Sequence, residues 1–240
     1  MIKFFKSKRQ NLIMENKTSK YLKYAIGEIV LVVLGILIAL QINNWNEERQ
    51  LDSQFLSILK TVREDLKTDT IIANRVIRQY DTVKKYSDKV LSQEFNVKSL
   101  DSCPLCTRLV TIYSPMFIQK KGYNLLQNFT DYTIKTDSLA TKISQFYSIY
   151  DELIISNMGL IKKEVVENLD YFKKQDWFIN WVQGQKDPRV GEYFGNSLDY
   201  KNRVASHLIL AALNYQRDIR NYNERAGQLI DEIDKRLNTD

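Results

Sequence analysis

One apolar stretch constrains this chain more than any other feature of its sequence. No strongly polar side chain occurs from Ile29 to Leu40, and the mostly apolar region extends from Tyr24 to Ile42, a length of nineteen residues. A bilayer core about 30 Å thick needs about 20 apolar residues in a helix that rises about 1.5 Å per residue. The length therefore predicts a transmembrane helix.

The composition of this stretch also favours insertion. Its twelve Ile, Leu and Val residues each contribute about 0.3 to 0.6 kcal/mol, whereas Glu28 costs about 3 kcal/mol at the bilayer centre and less near an interface. A cleaved signal peptide is the alternative, but 23 residues precede the stretch and no Ala-x-Ala motif follows it. We therefore expect an uncleaved signal anchor, with Trp45 at the membrane interface.

The charge distribution predicts the orientation. Seven basic residues and one acidic residue, Glu15, precede Tyr24, whereas the remainder of the chain carries 28 basic and 28 acidic residues. An excess of positive charge marks the cytoplasmic side of a span. We expect an inner-membrane, single-pass protein with a cytoplasmic amino terminus and a periplasmic bulk. Because the rest of the chain is neutral, no basic surface argues for nucleic acid.

The segment from Met14 to Gln50, "MENKTSKYLKYAIGEIVLVVLGILIALQINNWNEERQ", resembles the start of domain of unknown function 6090, a family of single-span membrane proteins of Bacteroidota. Weaker similarity follows in "SPMFIQKKGYNLLQNF" and "ISQFYSIYDEL", where Lys121 replaces the small residue expected before Gly122. The resemblance implies a short cytoplasmic tail, one span and a periplasmic helical domain. It implies no catalytic residue, because the family has no known activity.

The sequence predicts three regions: a basic tail at residues 1–23, a transmembrane helix at 24–42 and one helical domain at 43–240. Apolar residues recur at steps of four and three, as in a coiled coil, and no alternating strand pattern competes. We predict an all-α fold, an elongated antiparallel bundle of long helices. In the first helix the repeat comprises Phe55, Leu59, Val62, Leu66, Asp69, Ala73, Val76, Tyr80, Val83, Ser87 and Val90. A second helix is expected from the repeat Leu139, Ile143, Phe146, Tyr150, Leu153, Ile161, Val165, Leu169 and Phe172, and a third from Val204, Leu208, Ala211, Tyr215, Ile219, Tyr222, Ala226, Leu229 and Ile233.

Cys103 and Cys106 form the single cysteine pair, in the sequence "CPLC". The periplasm favours disulfides, and Pro104 at the first helical position makes Cys103 an N-cap. We favour a local structural disulfide. Redox activity, free thiols and an inter-subunit site remain open, although the strand and helix context of a thioredoxin-like motif is missing. Zinc needs four ligands, which one chain does not supply.

No pattern of residues predicts an enzyme, a cofactor or a metal. His207 is the single histidine, and we expect it on the flank of the third helix. Glu64, Asp65 and Asp69 lie among basic residues, which is typical of a solvated helix face. The sequence contains no GxSxG, no phosphate-binding glycine loop and no HExxH motif.

Aromatic residues are numerous, and on helices they usually belong to the core. If the bundle opens, the same residues could line an apolar ligand pocket. Trp177, Phe178 and Trp181 are less easily explained. If the second helix returns antiparallel to the first, these three residues lie at the membrane surface and the cysteines at the opposite tip; the alternative is that both tryptophans pack into the bundle.

Glu28, Gly35 and Ala39 share one face of the predicted span, where small residues allow another helix to approach. The alternative is that Glu28 only reaches the lipid headgroups. Taken together, the sequence predicts a non-catalytic interaction, scaffold or sensor-like module whose partners are the lipid bilayer and another membrane or periplasmic protein, or a second copy. A periplasmic binding module for a small apolar or aromatic ligand is the alternative function.

Overall fold

Regular structure in the described part of the chain is entirely helical, which confirms the all-α prediction. The computed structural model describes residues 18–129 and 137–239, so most of the predicted cytoplasmic tail lies outside the described residues. The α-helices are α1 (Thr18–Leu91), α2 (Lys121–Asn128), α3 (Ser138–Phe172), α4 (Phe178–Gln183), α5 (Pro188–Asn196), α6 (Leu198–His207) and α7 (Gln216–Thr239). A π-helical segment, Leu208–Tyr215, joins α6 to α7, and three short 3₁₀ turns lie between residues 97 and 111.

The chain divides into two compact units, Met1–Gln54 and Phe55–Asp240. The boundary lies within α1, twelve residues beyond the end of the predicted span at Ile42. In the first unit, the aliphatic side chains of the apolar stretch are exposed on all sides of the helix. This helix is the one in the described structure that is long and apolar enough to cross a membrane; a signal sequence near the amino terminus would meet the same criteria.

The second unit is organised around the heptad positions of α1. All eleven of the residues predicted from the repeat are buried, including the polar residues Asp69 and Ser87. The buried face of α7 contains Ile219, Tyr222 and Ile233, also as predicted. In α3 the agreement is partial, because Leu153 and Leu169 belong to the predicted repeat and yet are exposed.

A non-helical segment, residues 112–120, determines the direction of the helices. We call it the return segment, because it runs antiparallel to α1. The backbone N–H of Ser114 donates to the Tyr80 hydroxyl, and the N–H of Gln119 donates to Asp69, about three helical turns earlier in α1. Residue numbers therefore rise along the return segment as they fall along α1.

The helix α3 runs antiparallel to the return segment and hence parallel to α1. Its start is bonded to α2, through Gln127 and Ser144, and its end to the residues before the return segment, through Asn168 and the carbonyl of Val110. The expectation that the second long helix returns antiparallel to the first is therefore wrong. The helix α7 does run antiparallel to α1, since Tyr222 contacts Asp69 whereas the later residue Asp234 pairs with Arg63.

This reversal moves the tryptophans to the same end of the bundle as the cysteines. The indole N–H of Trp181 donates to the carbonyl of Thr107 at 3.2 Å, and the hydroxyl of Tyr200 donates to the carbonyl of Cys106. The prediction that these groups lie at opposite ends is wrong. The return segment, rather than a long second helix, brings the chain back along α1.

Gly122 provides a first test, because α2 packs directly against the backbone of α1. A Cβ atom at Gly122 would lie 2.4 Å from the backbone nitrogen of Val62, whereas a Cβ at Gly159 of α3 would meet no atom within 4 Å. We expect Gly122→Ala to destabilise the domain by about 1 to 3 kcal/mol or more. Gly159→Ala, the matched control, should be neutral or stabilising by about 1 kcal/mol, because alanine favours the helix. Urea unfolding followed by circular dichroism measures both, and equal stability of the two variants would contradict the packing.

Candidate functional site

Side chains from α1 and the π segment accept backbone N–H groups of the return segment and of the start of α2. Tyr80 accepts from Ser114 at 3.1 Å, Tyr215 accepts from Met116 at 2.9 Å, and Asp65 accepts from Gly122, the second residue of α2, at 2.7 Å. Tyr215 also donates to the carbonyl of Ser114 at 3.3 Å. An extended segment packed against helices has no neighbouring strand, so its partly buried amides need such partners.

Asp69 is the centre of this arrangement. Its carboxylate is 0% exposed. Its two oxygens lie 3.2 and 3.1 Å from the backbone nitrogen of Gln119, and its Oδ2 accepts a hydrogen bond of 2.7 Å from the Tyr222 hydroxyl. One carboxylate thus joins α1, the return segment and α7.

Burial changes the acid–base properties of these groups. Loss of hydration raises the pKa of Asp69 to about 6, although the hydrogen bonds from Tyr222 and Gln119 oppose the rise. Burial also raises the pKa of Tyr80 to about 12 and raises the pKa of Tyr222. The tyrosines therefore remain neutral hydroxyls, able to donate and accept hydrogen bonds, while Asp69 titrates in a mildly acidic range.

Two of the three carboxylates expected on a solvated face are not solvated. Glu64 is exposed as predicted, but Asp65 is half-buried and Asp69 is buried. The expectation is wrong for this pair because the side chains face the return segment, which the local charge pattern does not reveal. The signal that identified Asp69 was its position in the apolar repeat.

Tyr147 lies on α3 near the same carboxylates. Its ring stacks on Tyr123 of α2 with centroids 4.7 Å apart, and its buried hydroxyl has no hydrogen-bond partner in the described structure. Burial raises the pKa of Tyr147, and the negative charges of Asp65 and Asp69 raise it further. The neutral phenol of Tyr147 thus packs in the core between α2 and α3.

His207 is not on the flank of the bundle, as the sequence suggested, but in its interior, with 0% of its surface exposed. Its Nδ1 lies 2.9 Å from a carboxylate oxygen of Glu164, and its Nε2 is buried without a hydrogen-bond partner in the part of the chain described. This contact joins α6 to α3. The described residues contain no group of three or more His, Cys, Asp or Glu side chains that could hold a metal ion.

The tryptophans form part of the core at the end of the bundle that contains the cysteines. Trp177 and Trp181 are 6% and 7% exposed, and both contact Phe172 and Phe194. Phe178 is half-buried beside Trp181. These contacts favour the alternative stated above, packing into the bundle, over a membrane-surface contact.

Cys103 and Cys106 lie at disulfide distance beside this cluster, with their Sγ atoms 2.01 Å apart. Both residues are buried, and Cys103 is the N-cap of the 3₁₀ turn Pro104–Thr107, as the proline predicted. Since the carbonyls of Cys106 and Thr107 accept hydrogen bonds from Tyr200 and Trp181, the loop is fastened to α4 and α6.

The predicted packing face of the span lies on the exposed part of α1. Glu28, Gly35 and Ala39 are exposed, and a Cβ built at Gly35 would meet no atom within 4 Å. The face is therefore open to another helix, and its use remains a prediction.

The part of the chain that the structure describes is helical, with one apolar helix of membrane-spanning length and a bundle whose elements meet at the buried carboxylate of Asp69. The chain belongs to DUF6090, a family of unknown function, whose model matches residues 28–178. The match includes the apolar helix, the return segment and Trp177. Searches of curated proteins and of solved structures find no significant match.

The raised pKa of Asp69 predicts a pH dependence of stability. The folded state binds the carboxyl proton more tightly than the unfolded state, whose pKa is near the ordinary 3.8, so this residue makes the domain less stable as pH rises from about 4 to about 6. The shift of the Asp69 pKa from 3.8 to about 6 corresponds to about 3 kcal/mol in the free energy of unfolding. We expect the free energy of unfolding of the natural chain, relative to Asp69→Asn, to fall over this range.

Comparison with Asp69→Asn removes the effects of all other titrating groups and of any fixed hydrogen-bond loss. Urea unfolding at pH 4.5, 5.5 and 7 measures the difference. Parallel pH profiles for the two proteins would show that Asp69 does not titrate in this way.

Proposed function

We propose that this chain is a non-catalytic interaction module anchored in the inner membrane, with a cytoplasmic amino terminus and a periplasmic helical bundle. One observation carries the proposal: the aliphatic side chains of α1 between residues 25 and 42 are exposed all around the helix. An exposed apolar surface of this kind needs a bilayer or other apolar surroundings. The basic residues before Tyr24 support the orientation.

The bundle itself supports a role in assembly. Its buried aromatic residues fill the core: the ring of Tyr80 contacts that of Tyr215, and the ring of Tyr222 contacts that of Phe146. Large aliphatic residues on α3 nevertheless remain exposed, among them Ile149, Ile155 and Leu160. A filled core with apolar residues outside favours contacts with another membrane or periplasmic protein, or with a second copy.

A periplasmic ligand-binding module is the second candidate. An open groove between α3 and α7, lined in part by Phe146 and Tyr150, is the observation that favours it. This role is compatible with the same membrane anchor.

Reporter fusions after Asp240 test the topology. We expect a periplasm-dependent phosphatase to be active and a reporter that works only in the cytoplasm to be inactive, because the positive tail retains the amino terminus inside. The chain should remain in the membrane fraction after a high-salt wash and retain the residues before Asn43. A cytoplasm-only reporter that is active, or a mature chain without the apolar stretch, would overturn the proposal.

The packing face of the span gives a second test. We expect Glu28→Leu and Gly35→Leu to reduce crosslinking and complex size in native membranes, because a large side chain keeps a second helix away. Ile36→Leu, on a different face, is the matched control. If crosslinking and complex size are the same in all three variants, this face makes no helix contact.

A further inference from the structure

The groove between α3 and α7 combines an apolar floor with a positive charge, Arg225, that forms no ion pair with the described residues. Phe146, Tyr150 and Leu229 form the floor, and Ile149, which is 60% exposed, forms part of the rim. The volume is about 600 Å³, within the range of small-molecule sites. Since Phe146 and Tyr150 both contact the buried ring of Tyr222, the floor is held by the core.

The charges around the floor are not balanced. Lys142 is paired with Glu232 at 2.6 Å, across the groove from α3 to α7. Arg225 donates to the side-chain oxygen of Gln228 at 3.1 Å, and no carboxylate in the described structure forms an ion pair with it. Burial raises the pKa of Tyr150, and the nearby guanidinium of Arg225 opposes the rise. One cation therefore faces the apolar floor without an anionic partner.

We propose that this groove binds a free single-chain amphiphile with a carboxylate head, its chain on the floor of Phe146, Tyr150 and Leu229 and its head on Arg225. The inference rests on the second candidate function and names its ligand class. A guanidinium forms paired hydrogen bonds with a planar carboxylate, and the apolar floor covers a hydrocarbon chain.

The dimensions and charge of the groove distinguish this ligand from others. A floor of three apolar side chains matches one hydrocarbon chain rather than two, and a single cation beside the Lys142–Glu232 pair does not match a polyphosphate. A purely apolar compound would gain nothing from the charge of Arg225. The carboxylate head is therefore the part of the ligand that the charge distribution selects.

Photolabelling of the full chain in lipid nanodiscs tests the proposal. The probe is lauric acid with a diazirine at the end of its chain, compared with the corresponding alcohol, and mass spectrometry locates the labelled peptides. We expect label on the segments around Phe146–Tyr150 and Arg225–Leu229, in addition to the apolar span, which serves as an internal control for delivery of the probe.

Arg225→Gln should reduce groove labelling by about fivefold, as expected for one partly exposed charge pair, and leave labelling of the span unchanged. Gln228→Glu, which supplies Arg225 with an anionic neighbour, should do the same if the first variant does not fold. Arg217→Gln, at an exposed arginine of α7 paired with Asp218, is the matched control.

The inference would be overturned by an absence of label in the groove while the span is labelled, by equal labelling with the alcohol, or by undiminished labelling of the folded variants. Equal groove labelling by a photoreactive two-chain phospholipid would also overturn it, since the occupant would then be a membrane lipid. The topology experiments above use no ligand, so failure of the labelling experiment would not contradict the proposed membrane anchor.

Discussion

Buried backbone N–H groups outside a helix still need acceptors, and the second unit depends on the way its side chains meet that requirement. The return segment lies along α1 in an all-α domain without a strand beside it, and of its residues Met116 is the buried one. Tyr80, Tyr215 and Asp69 supply the missing acceptors. An unpaired buried amide costs about 1 to 3 kcal/mol, a cost that applies most directly to the buried hydrogen bond from Met116 to Tyr215.

The use of Asp69 as an acceptor reduces the stability of the domain near neutral pH. A carboxylate removed from water loses hydration, which is why its pKa is raised to about 6 despite the hydrogen bonds that it accepts. A neutral acceptor would avoid that loss but would not accept as strongly from both a backbone amide and a tyrosine. The charge therefore connects three elements at the expense of some stability near neutral pH.

The sequence predicted which residues are buried better than it predicted how the helices connect. The step of four and three in α1 identified eleven buried positions, including Asp69, because the period depends only on helix geometry. The interpretation of Asp69 as solvated failed because it considered charged neighbours along the chain rather than the repeat. The direction of α3 was not predictable in this way, since the return segment is extended and short and carries no periodic pattern. The positions of the tryptophans and cysteines depended on that direction.

The order in which the chain is made gives the return segment a consequence for biogenesis. Met116 and its acceptor Tyr215 are 99 residues apart, and Tyr222 lies 153 residues after Asp69. A ribosome completes the return segment long before it makes α7, so a nascent chain has only the acceptors of α1 for these amides. Contacts between distant residues also form slowly. The bundle thus cannot close until its last helix has been synthesised, and a chain truncated before that helix would expose an unfinished core to proteases and chaperones.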